Sequence, residues 1–187
     1  MEIPELETDR LLLRPVTRAD APDIQRHFGR WEIIQYLSVK VPWPYPEDGA
    51  VTFLRDRCLP GMARGEAMVW GIRLKKRPEE VVGILDYRSA DEGLGNRGFW
   101  IGEEFQGYGY MSEAVTALQD LIFFDLKVER IVVLNAVNNP ASRRVKEKTG
   151  ARLIDTVEME HHNGESQCER WEVTRESWAA VRGRPLD

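Results

Sequence analysis

Cysteine is nearly absent. Cys58 and Cys168 are the only two in 187 residues, far apart and outside any Cys-x-x-Cys or Cys/His spacing, so neither a zinc site nor an activated thiol nucleophile is expected. Histidine is equally sparse. His161 and His162 are adjacent, would face opposite sides of a strand and make a poor metal clamp, while His27 falls in a helical pattern and reads as a partly exposed structural residue. The sequence has no apolar run near the roughly 20 residues of a membrane helix. Its first fifteen residues, with early acids and no apolar core before a small-residue cleavage site, lack the features of a secretory signal, so a cytoplasmic protein without a membrane partner is expected. A basic excess is missing too: 26 Lys and Arg stand against 31 Asp and Glu, a formal net charge of −5. That argues against a nucleic-acid partner and suits a cationic small substrate or a basic peptide. With no internal repeat, linker or low-complexity stretch, residues 1–187 are expected to form one globular domain.

What is present reads as alternating elements. Leu11 to Leu13 form a short strand closed by Arg14-Pro15, and Thr17 with Asp20 opens a helix from about Arg18 through Phe28, which Trp31 to Leu37 prolong or follow. Three prolines in Val41-Pro-Trp-Pro-Tyr-Pro46 break any helix and stiffen a loop presenting Trp43 and Tyr45. Glu47 to Arg64 has mostly helical spacing. Strands over Met68 to Leu74, Val81 to Arg88 and Arg97 to Gly102 follow, with Gly93, Gly95 and Asn96 marking the second turn. Ser112 to Phe124 is an amphipathic helix, and Arg130 to Val137 a central strand buried on both faces. Pro140 opens a helix that ends at Gly150, Asn163-Gly164 turns a final hairpin, and Thr174 caps a last helix through Val181. This order predicts a mixed α/β domain of the α+β kind.

The chemistry concentrates in Phe99-Trp-Ile-Gly-Glu-Glu-Phe-Gln-Gly-Tyr-Gly-Tyr-Met-Ser-Glu-Ala114. A strand runs through a glycine-containing turn into a helix, so free N–H groups from Gln106 to Met111 gather at a helix N-terminus and can bind an anion. Gly107 and Gly109 permit close approach of a ligand. No Lys-Ser/Thr follows, which excludes a nucleoside-triphosphate loop. A dinucleotide site is a rival reading, but Gly107-x-Gly109-x-x-Ser112 lacks the third glycine, and the next strand ends in Asn135 rather than an acid. A plain strand-to-helix turn is the other alternative.

Three motifs in order favour a further reading. Gln106-Gly-Tyr-Gly-Tyr-Met111 resembles the Q/R-x-x-G-x-G/A acyl-CoA motif of the GNAT N-acetyltransferases, with Met111 where Gly or Ala is usual. Asn139-Pro-Ala-Ser142 through Lys148-Thr-Gly150 resembles the N-x-x-S…E-K-x-G-F signature of the same superfamily, with Thr149 and Ala151 as departures. Thr8-Asp-Arg-Leu-Leu-Leu-Arg-Pro15 and the Pro-Trp-Pro-Tyr loop look like the branch that acetylates ribosomal-protein N-termini (RimJ/RimL-like).

The resemblance implies a GNAT acyl-CoA N-acyltransferase fold, a mostly antiparallel mixed sheet flanked by helices, with acetyl-CoA as cosubstrate and no metal. It implies pantetheine lying between the Phe99 strand and the Arg130 strand, main-chain groups of Phe99, Trp100 and Ile101 pairing with it, and one N–H stabilising the oxyanion. It places the pyrophosphate on the amides of Gln106, Gly107, Gly109, Tyr110 and Met111, the Asn139 side chain on the pantetheine arm, and Ser142 by the sulfur as proton donor. Candidates for the base are Glu103, Glu104 and Asp86. Glu113 reads instead as helix-end electrostatics. Trp43, Tyr45, Tyr87 and Trp100 are expected on the acceptor wall. The implied acceptor is a protein N-terminal amine, with a small amine such as an antibiotic or polyamine, or a non-catalytic acyl-CoA sensor, as alternatives; the protein would act as a monomer or homodimer.

Overall fold

Strand-forming segments separated by turns assemble into one eight-stranded sheet in a computed structural model that describes residues 3–90 and 95–186. Gly93 lies outside the described residues. The strands are β1 (Leu6–Glu7), β2 (Leu11–Pro15), β3 (Ala67–Leu74), β4 (Gly83–Arg88), β5 (Arg97–Ile101), β6 (Arg130–Ala136), β7 (Arg152–Glu158) and β8 (Gln167–Thr174), in the spatial order β1-β2-β3-β4-β5-β6-β8-β7. Every neighbouring pair is antiparallel except β5 and β6, which are parallel. This is the mixed, mostly antiparallel sheet that the sequence led us to expect. The two-residue β1 was not foreseen, because so short a segment carries no period to read.

Alternation along the strands divides the core in two. Leu11, Leu13, Trp70, Ile72 and Leu85 face α5 (Tyr110–Asp120), which buries Met111, Ala114, Val115 and Leu118 against them, and Trp178 of α7 (Arg175–Arg182) joins this cluster. Val69, Val81 and Ile84 face the opposite way, onto Ile24 of α1 (Ala21–Phe28) and Ala50 of α3 (Gly49–Phe53). The helix of α3 continues through a π turn at Leu54–Cys58 into α4 (Leu59–Ala63), and α5 likewise continues through a π turn at Leu121–Asp125. The short α2 (Trp31–Ile34) precedes the proline loop, and α6 (Pro140–Lys148) follows β6.

Two expectations fail here for reasons of packing. Tyr87 is not on an acceptor wall: it shares the face of Leu85, as residues two apart must, and is buried in the core under α5. His27 is not partly exposed but 1% exposed, its Nε2 3.1 Å from Glu80 Oε1 and its ring edge-on to Phe105.

A strap of polar contacts fixes the first turn of α5 against the sheet edge. The Glu113 carboxylate accepts from Thr8 Oγ1 at 2.5 Å, from the Arg10 backbone N–H at 2.9 Å and from Arg10 Nε at 2.7 Å. Arg10 also donates to the Tyr108 carbonyl at 3.0 Å and lies 4.6 Å from the centre of the Tyr110 ring. Glu113 therefore does more than favour a helix end: it ties the first turn of α5 to the turn between β1 and β2. Burial alone would raise its pKa, but the Thr8 and Arg10 hydrogen bonds outweigh that and hold the carboxyl below its usual value. Stability from such a group is full above the unfolded-state pKa of about 4.3 and is lost as pH falls through the lower folded value. Glu113→Gln is expected to lower Tm by a few degrees at pH 7, and the gap from the parent should close as unfolding is followed below pH 4. A gap that stays constant would show that the charge contributes nothing.

Candidate functional site

The only parallel junction among the described strands is also the weakest. β5 and β6 register at a single pair, Arg97 with Val133, and then diverge, while β5 stays paired to β4 and β6 to β8 along their lengths. Asn96 closes the apex. Its N–H donates to the Val132 carbonyl at 2.7 Å, its Oδ1 accepts from the Val132 N–H at 2.8 Å, and its Nδ2 donates to the Arg88 carbonyl at 3.1 Å. Gly95 before it has φ +73, and a Cβ there would stand 2.8 Å from the Val132 carbonyl, so this close approach requires glycine.

Beyond the apex the strands enclose a cleft of about 550 Å³. Phe99, Trp100, Ile101, Gln106, Gly107, Gly109, Tyr110, Met111, Asn139 and Ser142 all line it. Their main-chain availability differs from expectation in two places. The Gly102 N–H donates to the Val82 carbonyl at 2.8 Å, which sets the phase of the β4–β5 ladder. Trp100 therefore directs its main-chain groups to β4, and only Phe99 and Ile101 present theirs to the gap. The Gln106 N–H is likewise occupied, donating to the Glu103 carbonyl at 3.1 Å, while its side-chain Nε2 donates to the Ile101 carbonyl at 3.2 Å.

The turn that follows is an anion nest. Gly107 and Gly109 have φ +83 and +81, Gly109 is the N-cap of α5, and among the described residues the N–H groups of residues 107–112 have no protein acceptor. Two cations on the exposed part of α6, Arg144 and Lys148, stand at the cleft edge. On the same helix the Asn139 Oδ1 accepts from the Ser142 N–H at 3.0 Å as the N-cap, so any contact of Asn139 with a ligand falls to its Nδ2. Ser142 Oγ accepts from Lys146 Nζ at 2.9 Å.

On the cleft floor, which Asn135 also lines, Arg97 is 3% exposed, donates through Nη1 to Gln119 Oε1, and among the described residues has no hydrogen-bond partner for Nε or Nη2. Gln119 passes the contact on, its Nε2 donating to the Thr149 carbonyl at 3.0 Å. Burial brings the Arg97 guanidinium down to about 10, against a rise from the nearby Asp86 charge.

The far end of the cleft is walled by α2 and the residues after it, through Glu32, Ile33, Tyr36 and Leu37. Glu32 is the one carboxylate on the cleft among the described residues; the expected bases are elsewhere. Asp86 accepts from the Gly98 N–H at 3.1 Å and pairs with Arg88 at 3.0 Å on the α1 side of the sheet, where burial raises its pKa. Glu103 is exposed in the turn after β5, and Glu104 beside it lies 3.9 Å from both His27 and Arg30. Trp43 packs on Trp31, 5.2 Å between ring centres, and Tyr45 packs edge-on to Phe28, which in turn meets Trp100 at 5.3 Å. Neither Trp43 nor Tyr45 lines the cleft: aromatic packing holds the proline loop against α1 and α2, and burial with the Asp48 charge pushes the Tyr45 hydroxyl up to about 12. Burial also pushes Cys58 to about 12, with Asp86 assisting, and Cys168 to about 11, so both thiols stay protonated at neutral pH.

Sequence reasoning missed Glu32, Tyr36, Arg97 and Asn135. Arg97 and Asn135 carried a usable signal, being polar residues inside strands otherwise fit for full burial. The short α2 carried none, since four residues are too few for a reliable amphipathic period.

Residues 10–152 match the family model described as an acetyltransferase (GNAT) domain. The chain is 26% identical over 170 residues to the uncharacterized N-acetyltransferase p20 of Bacillus licheniformis, a match covering 80% of this chain and 91% of that protein. Its fold superposes on the ribosomal-protein-S5-alanine acetyltransferase of Vibrio fischeri with a TM-score of 0.77 at 17% identity, covering 94% of this chain and 98% of the other. It superposes on RimL, a ribosomal L7/L12 alpha-N-protein acetyltransferase solved with coenzyme A, with a TM-score of 0.75 at 20% identity, over 91% and 98% of the two chains. Among the described residues no helix is long and apolar enough to cross a membrane.

Because Gln119 supplies the side-chain acceptor of a buried guanidinium, Gln119→Met is expected to cost about 2–4 kcal/mol in urea unfolding. Adding Arg97→Met should restore part of that loss. Additive losses in the double variant would show that the pair does not interact.

Proposed function

The chain belongs to the GNAT acetyltransferases, and from that premise we propose that it transfers an acetyl group directly from acetyl-CoA to the α-amine of a protein N-terminus, of the kind ribosomal proteins carry. The observation that carries this reading is the two-ended cleft: a nest of free N–H groups and flanking cations at one end, an unpaired strand gap in the middle, and a carboxylate beside tyrosine at the other.

Each part has a role in such a transfer. The N–H groups of Gly107, Gly109, Tyr110 and Met111 take the pyrophosphate, and Arg144 with Lys148 balance the remaining phosphate charge. Phe99 and Ile101 offer main-chain groups to the pantetheine amides, and one N–H from this edge faces the thioester oxygen, where negative charge grows in the transition state. Acetyl-CoA supplies the activated thioester. Ser142 gives its proton to the leaving sulfur, and Glu32 draws the acceptor's ammonium into the cleft and takes up its proton, the part first expected of Glu103 or Asp86. With both cysteines held as thiols, no acyl-cysteine step is needed.

The preference for an α-amine follows from the cost of removing the acceptor's proton. At pH 7 a protein α-amino group of pKa about 8 needs about 1.4 kcal/mol to lose its proton, whereas a lysine near 10.4 needs about 4.6 kcal/mol. One exposed glutamate suits the first task and not the second. The fold shared with two ribosomal-protein acetyltransferases supports the same acceptor class.

The test is thiol release from acetyl-CoA across an acceptor panel at pH 7. Peptides with a free ribosomal-protein-type N-terminus are expected to give kcat/KM at least about tenfold above N-blocked lysine peptides, spermidine or an aminoglycoside, a margin of about 1.4 kcal/mol in transition-state binding. Preference for a polyamine or antibiotic would replace the proposed acceptor.

A further inference from the structure

Lys146 is the residue whose placement the reaction as described leaves unexplained. It sits on α6 at 1% exposure. Long cationic side chains normally bury the stem and keep the ammonium in water, and a buried ammonium without a counter-charge destabilises a fold. Among the described residues no carboxylate comes within ion-pair distance of it. The carboxylate whose charge it feels, Glu169 on β8, is taken by Asn135 Nδ2 at 2.9 Å and by Arg143 Nη1 at 2.7 Å. The polar contact that Lys146 Nζ does make is to Ser142 Oγ, one helical turn earlier, at 2.9 Å. The same nitrogen lies 5.4 Å from the centre of the Phe99 ring, which lines the cleft, while Lys146 itself does not reach the cleft surface. Ser142 thus stands between the lysine and the space where the thioester would lie.

We infer that Lys146 is the positioning residue for Ser142: its Nζ–H engages the serine oxygen, turns the hydroxyl proton toward the cleft, and resupplies that oxygen as the proton leaves. The inference rests on the proposed role of Ser142 as proton donor to the leaving sulfur. In the step, the carbon–sulfur bond of the tetrahedral adduct breaks, and sulfur takes the Ser142 hydroxyl proton. Ser142 Oγ takes a proton from the Lys146 ammonium. The amine attacks after Glu32 has passed its ammonium proton to solvent, the further proton it loses on attack leaves by the same acceptor end, and solvent reprotonates Lys146 through Ser142 once the thiol product departs. Counted from the neutral amine, one proton leaves nitrogen and one reaches sulfur, so the step balances.

The surroundings favour release of that proton. Burial, and then the like charge of Arg97 on β5, push the Lys146 ammonium well below the ordinary lysine range, against the opposing influence of Cys168 and Glu169 on β8. A serine hydroxyl alone is a poor acid. Backed by an ammonium whose proton is easily given up, it can donate without becoming an alkoxide.

The test is a double-mutant cycle on the full chain with Ser142→Ala, Lys146→Met and their combination, each followed by kcat, KM for acetyl-CoA, and Tm. Ser142→Ala is expected to lower kcat about 100-fold, and Lys146→Met about tenfold, each with KM for acetyl-CoA within about twofold of the parent. The double variant should be no slower than Ser142→Ala alone. Tm of Lys146→Met should stay level or rise, since an apolar side chain replaces a buried cation; Lys146→Leu provides a second apolar variant if the methionine form expresses poorly. A full tenfold loss from Lys146→Met in the Ser142→Ala background, or parent-like kcat in Lys146→Met and Lys146→Leu, would overturn the relay. An unchanged kcat in Ser142→Ala would instead overturn the serine's own role, and the relay with it.

Discussion

The failure of β5 and β6 to pair beyond Arg97 and Val133 is the constraint on which the site depends. A sheet edge with unsatisfied N–H and C=O groups is normally a liability, and here it lies in the middle of an eight-stranded sheet. It persists because each strand is held from its other side, β5 by β4 and β6 by β8, and because Asn96 ties both strands at the apex while Gly95 lets the backbones approach. Helices complete the frame. The glycine turn that follows the diverging strand leads into α5, so free N–H groups stand at one mouth of the gap, and α6 lays Asn139 and Ser142 along the side. The Arg10–Glu113 strap then keeps that helix start in register with the sheet.

Most of this frame was legible in the amino-acid order, because it is written in local chemistry. Gly107 and Gly109 are both at positive φ, Asn139 caps the helix that Pro140 opens, Gly150 ends it at φ +75, and Thr174 caps the last helix through Ser177. What escaped was decided by tertiary packing. The π turns at Leu54–Cys58 and Leu121–Asp125 insert one residue into a helix without any local signal. Tyr87 was misplaced because burial face depends on strand phase, and Trp43 and Tyr45 because proline stiffness says nothing about which aromatics a loop will meet. The occupied N–H groups of Gln106 and Trp100 follow from hydrogen-bond phase, which side-chain identity does not reveal.

A polar stripe runs along the buried side of α6, with Ser142, Lys146 and Thr149 at helical spacing and Arg97 with Gln119 beyond. Such groups cost stability when they are buried, and the core nearby is otherwise apolar. Thr149 belongs to the stripe through its carbonyl, which accepts from Gln119, and its hydroxyl, which donates to the Val145 carbonyl. Ser142 links the stripe to the cleft, which connects the cost in the fold to the transfer step.

The most direct test of the gap and nest as the coenzyme site is thermal unfolding with coenzyme A and with NAD, on the parent and on Gly107→Val. At position 107 a Cβ meets nothing within 4 Å, so the variant blocks the nest without a packing clash, although its φ of +83 will lower the starting Tm. Coenzyme A near one hundred times Kd should raise the parent's Tm by about 5–10 °C, from about 2.7 kcal/mol of linkage at this chain length. NAD should leave it unmoved, and the rise with coenzyme A should largely vanish in Gly107→Val. A shift with NAD alone, or an undiminished coenzyme A shift in Gly107→Val, would contradict the account.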